Sequence, residues 1–203
     1  MKAIIFICLS VYSVFAIASE DTLSGQTFVK LTPSEEHSVV ALGKEASNRV
    51  SKKLMKTMLA DIKSVGLAEA ARGWSKSVMI INDIADSFEL GMTIRRPTYQ
   101  YRNPINKPDS IDKVALDFFL SDESENESYF TRKIIANNNN RYVYYQPMYV
   151  TQKCLLCHSS KMSEDVKTVL EEKYPNDHSN NLKLGALRAA IRIELPESAI
   201  QDK

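Results

Sequence analysis

The sequence predicts an α+β domain built on a mostly antiparallel sheet. Three observations predict it. Apolar residues recur every three or four positions through the first half of the chain, the period of amphipathic helices. Beyond Gly91 the pattern changes to short strand-like runs, with turn residues or short helices between them. The 203 residues are 44% hydrophobic and 25% charged, which is globular composition, and no internal repeat is visible. That composition excludes a disordered tail protein, a collagen and a multi-span membrane protein.

Residues 1–18 read as a secretory signal peptide. Lys2 is the one charge before Glu20, an apolar run follows, and Ala16-Ile17-Ala18 is a small-residue cleavage signal. The run is short for a membrane span. Removing it from the 203 residues leaves 185, with Cys154 and Cys157 as the remaining cysteines, because Cys8 lies in the leader. No further apolar segment of span length follows, so the mature product is expected to be soluble and exported, with no stable membrane span.

Residues 19–33 read as an N-terminal tail, punctuated by Gly25 and Pro33, and residues 34–203 as one domain. Ser34 is placed to cap a helix with Glu35 and Glu36 in its first turn, where the helix dipole favours acids. Its apolar stripe runs Val39, Leu42, Ala46, Val50, Leu54, Met58, Ile62 and Val65, and Gly66 ends it. A second helix is expected over Leu67–Phe88, on a stripe that includes Leu67, Ala71, Trp74, Val78, Ile81 and Ala85. Together they read as an N-terminal helical hairpin.

Thr93–Tyr101 is a strand candidate, and Arg102–Asp109, with two prolines, is a loop. Ser110–Leu120 reads as a short helix and Ser121–Ser128 as an acidic loop. Tyr129–Ala136 and Arg141–Val150 read as a hairpin joined by the four asparagines 137–140. A helix over Ser163–Lys173, a turn over Tyr174–Asp177 and a last strand over Ala186–Leu195 complete the chain.

The chemistry concentrates in Cys154-Leu155-Leu156-Cys157-His158. An exported chain with this as its one cysteine pair carries the attachment pattern of a c-type haem. The two thiols add across the two haem vinyl groups as thioethers, and the two-residue spacer matches the vinyl separation. The adjacent histidine is then held over the iron as proximal ligand. Such attachment takes place outside the cytoplasm, in keeping with the leader, and the periplasm is the expected location. Zinc would need four ligands, and His37 and His178 are far from the pair in sequence. An exported thiol–disulfide oxidoreductase is the other use of C-x-x-C after a strand. A haem peroxidase-like enzyme would need a distal acid–base pair. No catalytic constellation is identified, so the chain is not expected to be an enzyme. With 26 basic and 25 acidic residues there is no excess charge for nucleic acid, and no glycine-rich nucleotide loop is present.

Several motifs in order resemble one family. Arg102-Asn103-Pro104, then Asn106 and Pro108-Asp109, resembles its Arg-Asn-Pro-x-Asn-x-Pro-Asp signature. Tyr145-Gln146-Pro147 before the cysteine motif resembles its strand leading into the haem. Tyr174-Pro175-x-Asp177, then Gly185, Arg188, Ala190 and Pro196, resembles its C-terminal signature. The family is the single-haem c-type cytochrome and sensor domain with a PAS-like fold, and the likeness spans about residues 40–196. It implies one covalent haem c and a role in electron transfer or in sensing redox state or a small diatomic ligand. It also implies a redox partner protein or such a ligand.

In that family a cysteine on the helix before the Arg-Asn-Pro loop, four residues ahead of an alanine, can be the second axial ligand. Counting back from Ala85 puts the position at Ile81, which is expected to face the haem but cannot bind iron. The iron is then expected to be five-coordinate, or bound weakly by water or a methionine. Met79 should point away and Met162 is too close to His158, which leaves Met92 or Met148. Arg95, Arg96, Arg102 and Arg188 are candidates to pair with the haem propionates, with Arg102 foremost.

Overall fold

The computed structural model describes residues 21–201 apart from 24–25, 125–126 and 137–138. The expected leader, residues 1–18, lies outside the described residues. A short antiparallel pair comes first, β1 (Asp21–Leu23) and β2 (Gln26–Val29). The stretch expected to be a tail therefore adds two strands to the sheet. Phe28 explains the difference, because it is buried in the core beside Ile134.

α1 (Pro33–Val65) is 33 residues long, or ~50 Å at 1.5 Å per residue. Its cap is Thr32 rather than Ser34. The Glu35 N–H donates to the Thr32 hydroxyl, and the Thr32 N–H donates back to the Glu35 carboxylate at 2.9 Å. The expected helix over 67–88 is broken into α2 (Leu67–Arg72), a 3₁₀ turn (Gly73–Lys76) and α3 (Ser77–Asp86). The two pieces serve different partners: α2 packs against a later helix, whereas α3 packs against α1 and the strand that follows it. The bend falls at Gly73, the residue in this stretch with the least helix preference.

β3 (Thr93–Arg95) is shorter than expected, since Pro97 has no N–H to continue the ladder. α4 (Ser110–Leu120) has the expected limits, with Asp109 as cap and Asp112 returning the bond. β4 (Phe130–Ala136) and β5 (Asn139–Tyr149) pair down to Ala136 opposite Asn139, so two of the four asparagines lie in the strand. α5 (Leu155–His158), α6 (Glu164–Lys173), β6 (Leu187–Pro196) and α7 (Ser198–Gln201) follow.

The strands form one antiparallel sheet in the order β1-β2-β4-β5-β6-β3. Side chains alternate across it. Tyr142, Tyr144, Ile191 and Ile193 face α1, where Val39, Leu42, Ala46, Val50 and Leu54 cover them. Val143, Tyr145 and Ala190 face the other way, toward Ile111, Ala115, Leu116 and Phe119 of α4. The result is an α+β architecture consistent with a PAS-like fold. Among the described residues no helix is long and apolar enough to cross a membrane.

The stripe of α1 does not behave uniformly. Its buried residues end at Leu54, although apolar residues continue to Val65. Past that point the helix leaves the sheet core and becomes the wall of a cavity.

Candidate cofactor site

The cavity has a volume of about 440 Å³. The C-terminal half of α1 lines it through Leu54, Met55, Met58 and Ile62. Trp74 comes from the bend between α2 and α3, Ser77 from the start of α3, and Met148 and Ala189 from the end of the sheet. Cys154, Cys157 and His158 form part of its wall, and Arg96, Arg102 and Arg188 also reach it. The volume falls in the usual range for cofactor and ligand sites.

The helical turn of α5 explains the cysteine spacing. Residues three and four apart share one side of a turn. Cys154, Cys157 and His158 therefore present to the same cavity. The turn is closed by the Cys157 N–H donating to the Cys154 carbonyl at 3.2 Å.

His158 is fixed by its other ring nitrogen. Nδ1 lies 2.8 Å from the Ser179 carbonyl and 3.0 Å from the Ser179 hydroxyl. A carbonyl can only accept, so that contact requires the proton on Nδ1 and leaves the Nε2 lone pair free. Burial, reinforced by the charges of Arg188, Arg102 and Arg96, holds the imidazole pKa well below its ordinary value. The ring is neutral at pH 7, the state in which imidazole binds metals.

Arg102 builds the support behind it. Its Nε donates to Asp177 at 2.9 Å, and an Nη donates to the Cys157 carbonyl at 2.5 Å. Asp177 also accepts the Ser179 N–H at 2.7 Å. One guanidinium thus ties the motif to the loop that orients His158. Arg102 is already neutralised, whereas Arg96 is not. Its Nε is buried with no hydrogen-bond partner, and burial pushes its pKa down to about 10. Arg188 donates to the Gln100 carbonyl at 3.2 Å. Burial, then the charges of Arg96 and Arg102, likewise brings it to about 10. Both remain cations at pH 7, and among the described residues no carboxylate on the cavity wall pairs with them. The Cys157 thiol is pushed up, chiefly by burial.

A family model, Tll0287-like, matches residues 29–196. The chain belongs to the Tll0287-like family. A solved structure described as that of the cyanobacterial heme-protein Tll0287 is similar in fold, with a TM-score of 0.52 at 20% identity. The match covers 82% of this chain and 98% of that one. No curated protein sequence matches the chain.

In this Tll0287-like chain the expected site residues divide into those at the cavity and those elsewhere. Cys154, Cys157, His158, Arg102, Arg188 and Met148 line the cavity together. Ile81 does not. It is 6% exposed in the core against α1, and Ser77, one turn earlier, takes the cavity position from α3. Met92 is likewise absent from the wall and is buried in the same core. Arg95 is held away by Asp109 and Asp112. Met79 is exposed, and Met162 packs behind the motif with Val166 and Leu170. Residues not singled out from sequence are Met55, Met58, Trp74 and Ser179. Met58 lies on the apolar stripe of α1, and periodicity identifies an apolar face but not what covers it.

Proposed function

We propose that this chain is an exported, periplasmic mono-haem c-type cytochrome domain that works in electron transfer. Haem-based sensing of redox state or of a diatomic ligand is the second reading, which applies if the sixth iron position is open. The observation that carries the proposal is the shared wall of Cys154, Cys157 and His158, with the His158 Nε2 lone pair free. A haem is held by such groups: two thioethers and one axial imidazole. The unpartnered Arg96 Nε supports the fit, since two haem propionates need cations that are not already paired. Arg96 and Arg188 would hold the propionates, which replaces Arg102 as the foremost candidate. The similarity in fold to the cyanobacterial heme-protein Tll0287 agrees with this reading.

Bound there, haem supplies a one-electron iron centre. The chain's own residues do the rest. His158 is aimed by Ser179, the Arg102–Asp177 pair braces that loop, and Leu54, Met58, Ile62 and Trp74 exclude water. Met55, Leu59 and Leu156 at the cavity are 42%, 43% and 51% exposed, an apolar collar suited to a redox partner protein. Among the described residues the cavity wall has no acid and no second histidine for peroxidase chemistry.

The test is a pyridine haemochrome spectrum of protein matured in a host that attaches haem c. A c-type spectrum is expected, lost when both Cys154→Ala and Cys157→Ala are introduced. A spectrum of free, non-covalent haem, or none, would refute the proposal.

A further inference from the structure

We propose that Met58 of α1 is the sixth ligand of the iron. This rests on the haem reading above. An iron held by His158 takes its sixth ligand from across the haem. α1 packs on α2, α3, β5 and β6 but forms no comparable layer with α5, and both α1 and α5 line the cavity, which lies between them. The ligand from that wall must come from the α1 stripe.

The stripe decides which residue. At 100° per residue, positions 51, 54, 55, 58, 59 and 62 cover an arc of about 140°. Met58 lies on the Leu54 half of the arc, and Leu54 is 5% exposed in the core. Met55 lies on the Leu59 half, and these two are 42% and 43% exposed. Met58 therefore points into the cavity, and Met55 stands at its mouth. A thioether is an established ligand for c-type haem.

The other donors on the wall are poorly placed. Lys153 precedes the motif directly, and Tyr174 packs against the same Ala71, Val166 and Leu170 cluster as Cys157, so both lie on the His158 side. Met148 pairs with Ala189 in the β5–β6 register and packs against the sheet core beneath α1. Ile81 and Met92 are behind the wall. Met58 is thereby preferred to an open site, Met92 or Met148, and it comes from the apolar stripe of α1.

The experiment uses matured holoprotein, with covalent haem established first by haemochrome, so that failure of the haem reading is seen separately. The ferric wild type should be low-spin with a near-infrared sulfur-to-iron band. Met58→Leu should abolish that band, give a high-spin ferrous form that binds carbon monoxide at once, and lower the reduction potential. Met55→Leu and Met148→Leu should keep the band. Met58→His should give a low-spin bis-histidine spectrum, which shows reach even if Met58→Leu folds poorly. A wild-type high-spin spectrum, or a band that survives Met58→Leu and disappears in Met148→Leu or Met55→Leu, overturns the proposal.

Discussion

Gly43→Ala tests how closely α1 is seated on the sheet. A Cβ built at Gly43 would lie 2.2, 2.5 and 2.7 Å from three ring carbons of Tyr144. Ordinary contact begins near 3.4 Å, so the overlap exceeds an ångström. The ring cannot swing aside easily. Tyr144 is fully buried, stacks on Tyr129 at 5.7 Å and donates its hydroxyl to Gln146 at 2.5 Å. Overpacking of this kind costs about 1–3 kcal/mol, and more where rigid groups collide. Alanine returns about 1 kcal/mol through its better helix preference. The net expectation is a loss of about 2 kcal/mol, a fall in Tm of roughly 4–8 °C for a chain of this size. Thermal and urea unfolding followed by circular dichroism measure it. Gly73→Ala is the control, because nothing lies within 4 Å of its built Cβ and its φ is −78°. It should be neutral or slightly stabilising. A Gly43→Ala protein as stable as the wild type would refute the seating of α1 against Tyr144.

Other expectations follow from the buried charges and the single tryptophan. Burial alone would raise the Glu35 carboxyl, but bonds from Lys133, the Thr32 N–H and Tyr142 outweigh it and hold its pKa at about 2, against an ordinary 4.5. The stability it adds is complete above pH 4.5 and is lost as pH falls toward 2. Glu35→Gln should thus cost about 1–3 kcal/mol at pH 7 and almost nothing near pH 2, read from urea unfolding at both; a pH-independent loss would count against the linkage. Asp177→Asn leaves Arg102, 13% exposed, without its carboxylate. A loss of about 3 kcal/mol is expected, and one below about 1 would contradict the bracing role. Trp74, the one tryptophan, lines the cavity. Its emission should be strongly quenched in matured protein and return after denaturation, and equal emission from folded apo- and holoprotein would move the haem elsewhere.

Local chemistry was readable in the sequence, and long-range pairing was not. The limits of α4 follow from Asp109 and Asp112, three residues apart, which cap each other. The cysteine motif is readable because its spacing belongs to one helical turn. From the sequence, Arg102 stands ahead of Arg96 as a propionate partner. What separates them is Asp177, 75 residues from Arg102, which neutralises one and leaves the other free. The break in the second helix has the same origin, since α2 answers to α6, nearly a hundred residues later. Met58 continues the apolar period of α1, and only the departure of the helix from the sheet after Leu54 reveals that it faces a cavity. The β1–β2 pair was missed because strands of three and four residues carry little alternation to read.

The central claim is that Cys154, Cys157 and His158 hold one covalent haem. Intact mass of the matured, acid–acetone-extracted protein tests it most directly. The expected mass is that of the chain beginning at Ser19 plus one haem, falling to the bare chain when both cysteines are replaced by alanine. A bare-chain mass from properly matured wild-type protein would contradict it.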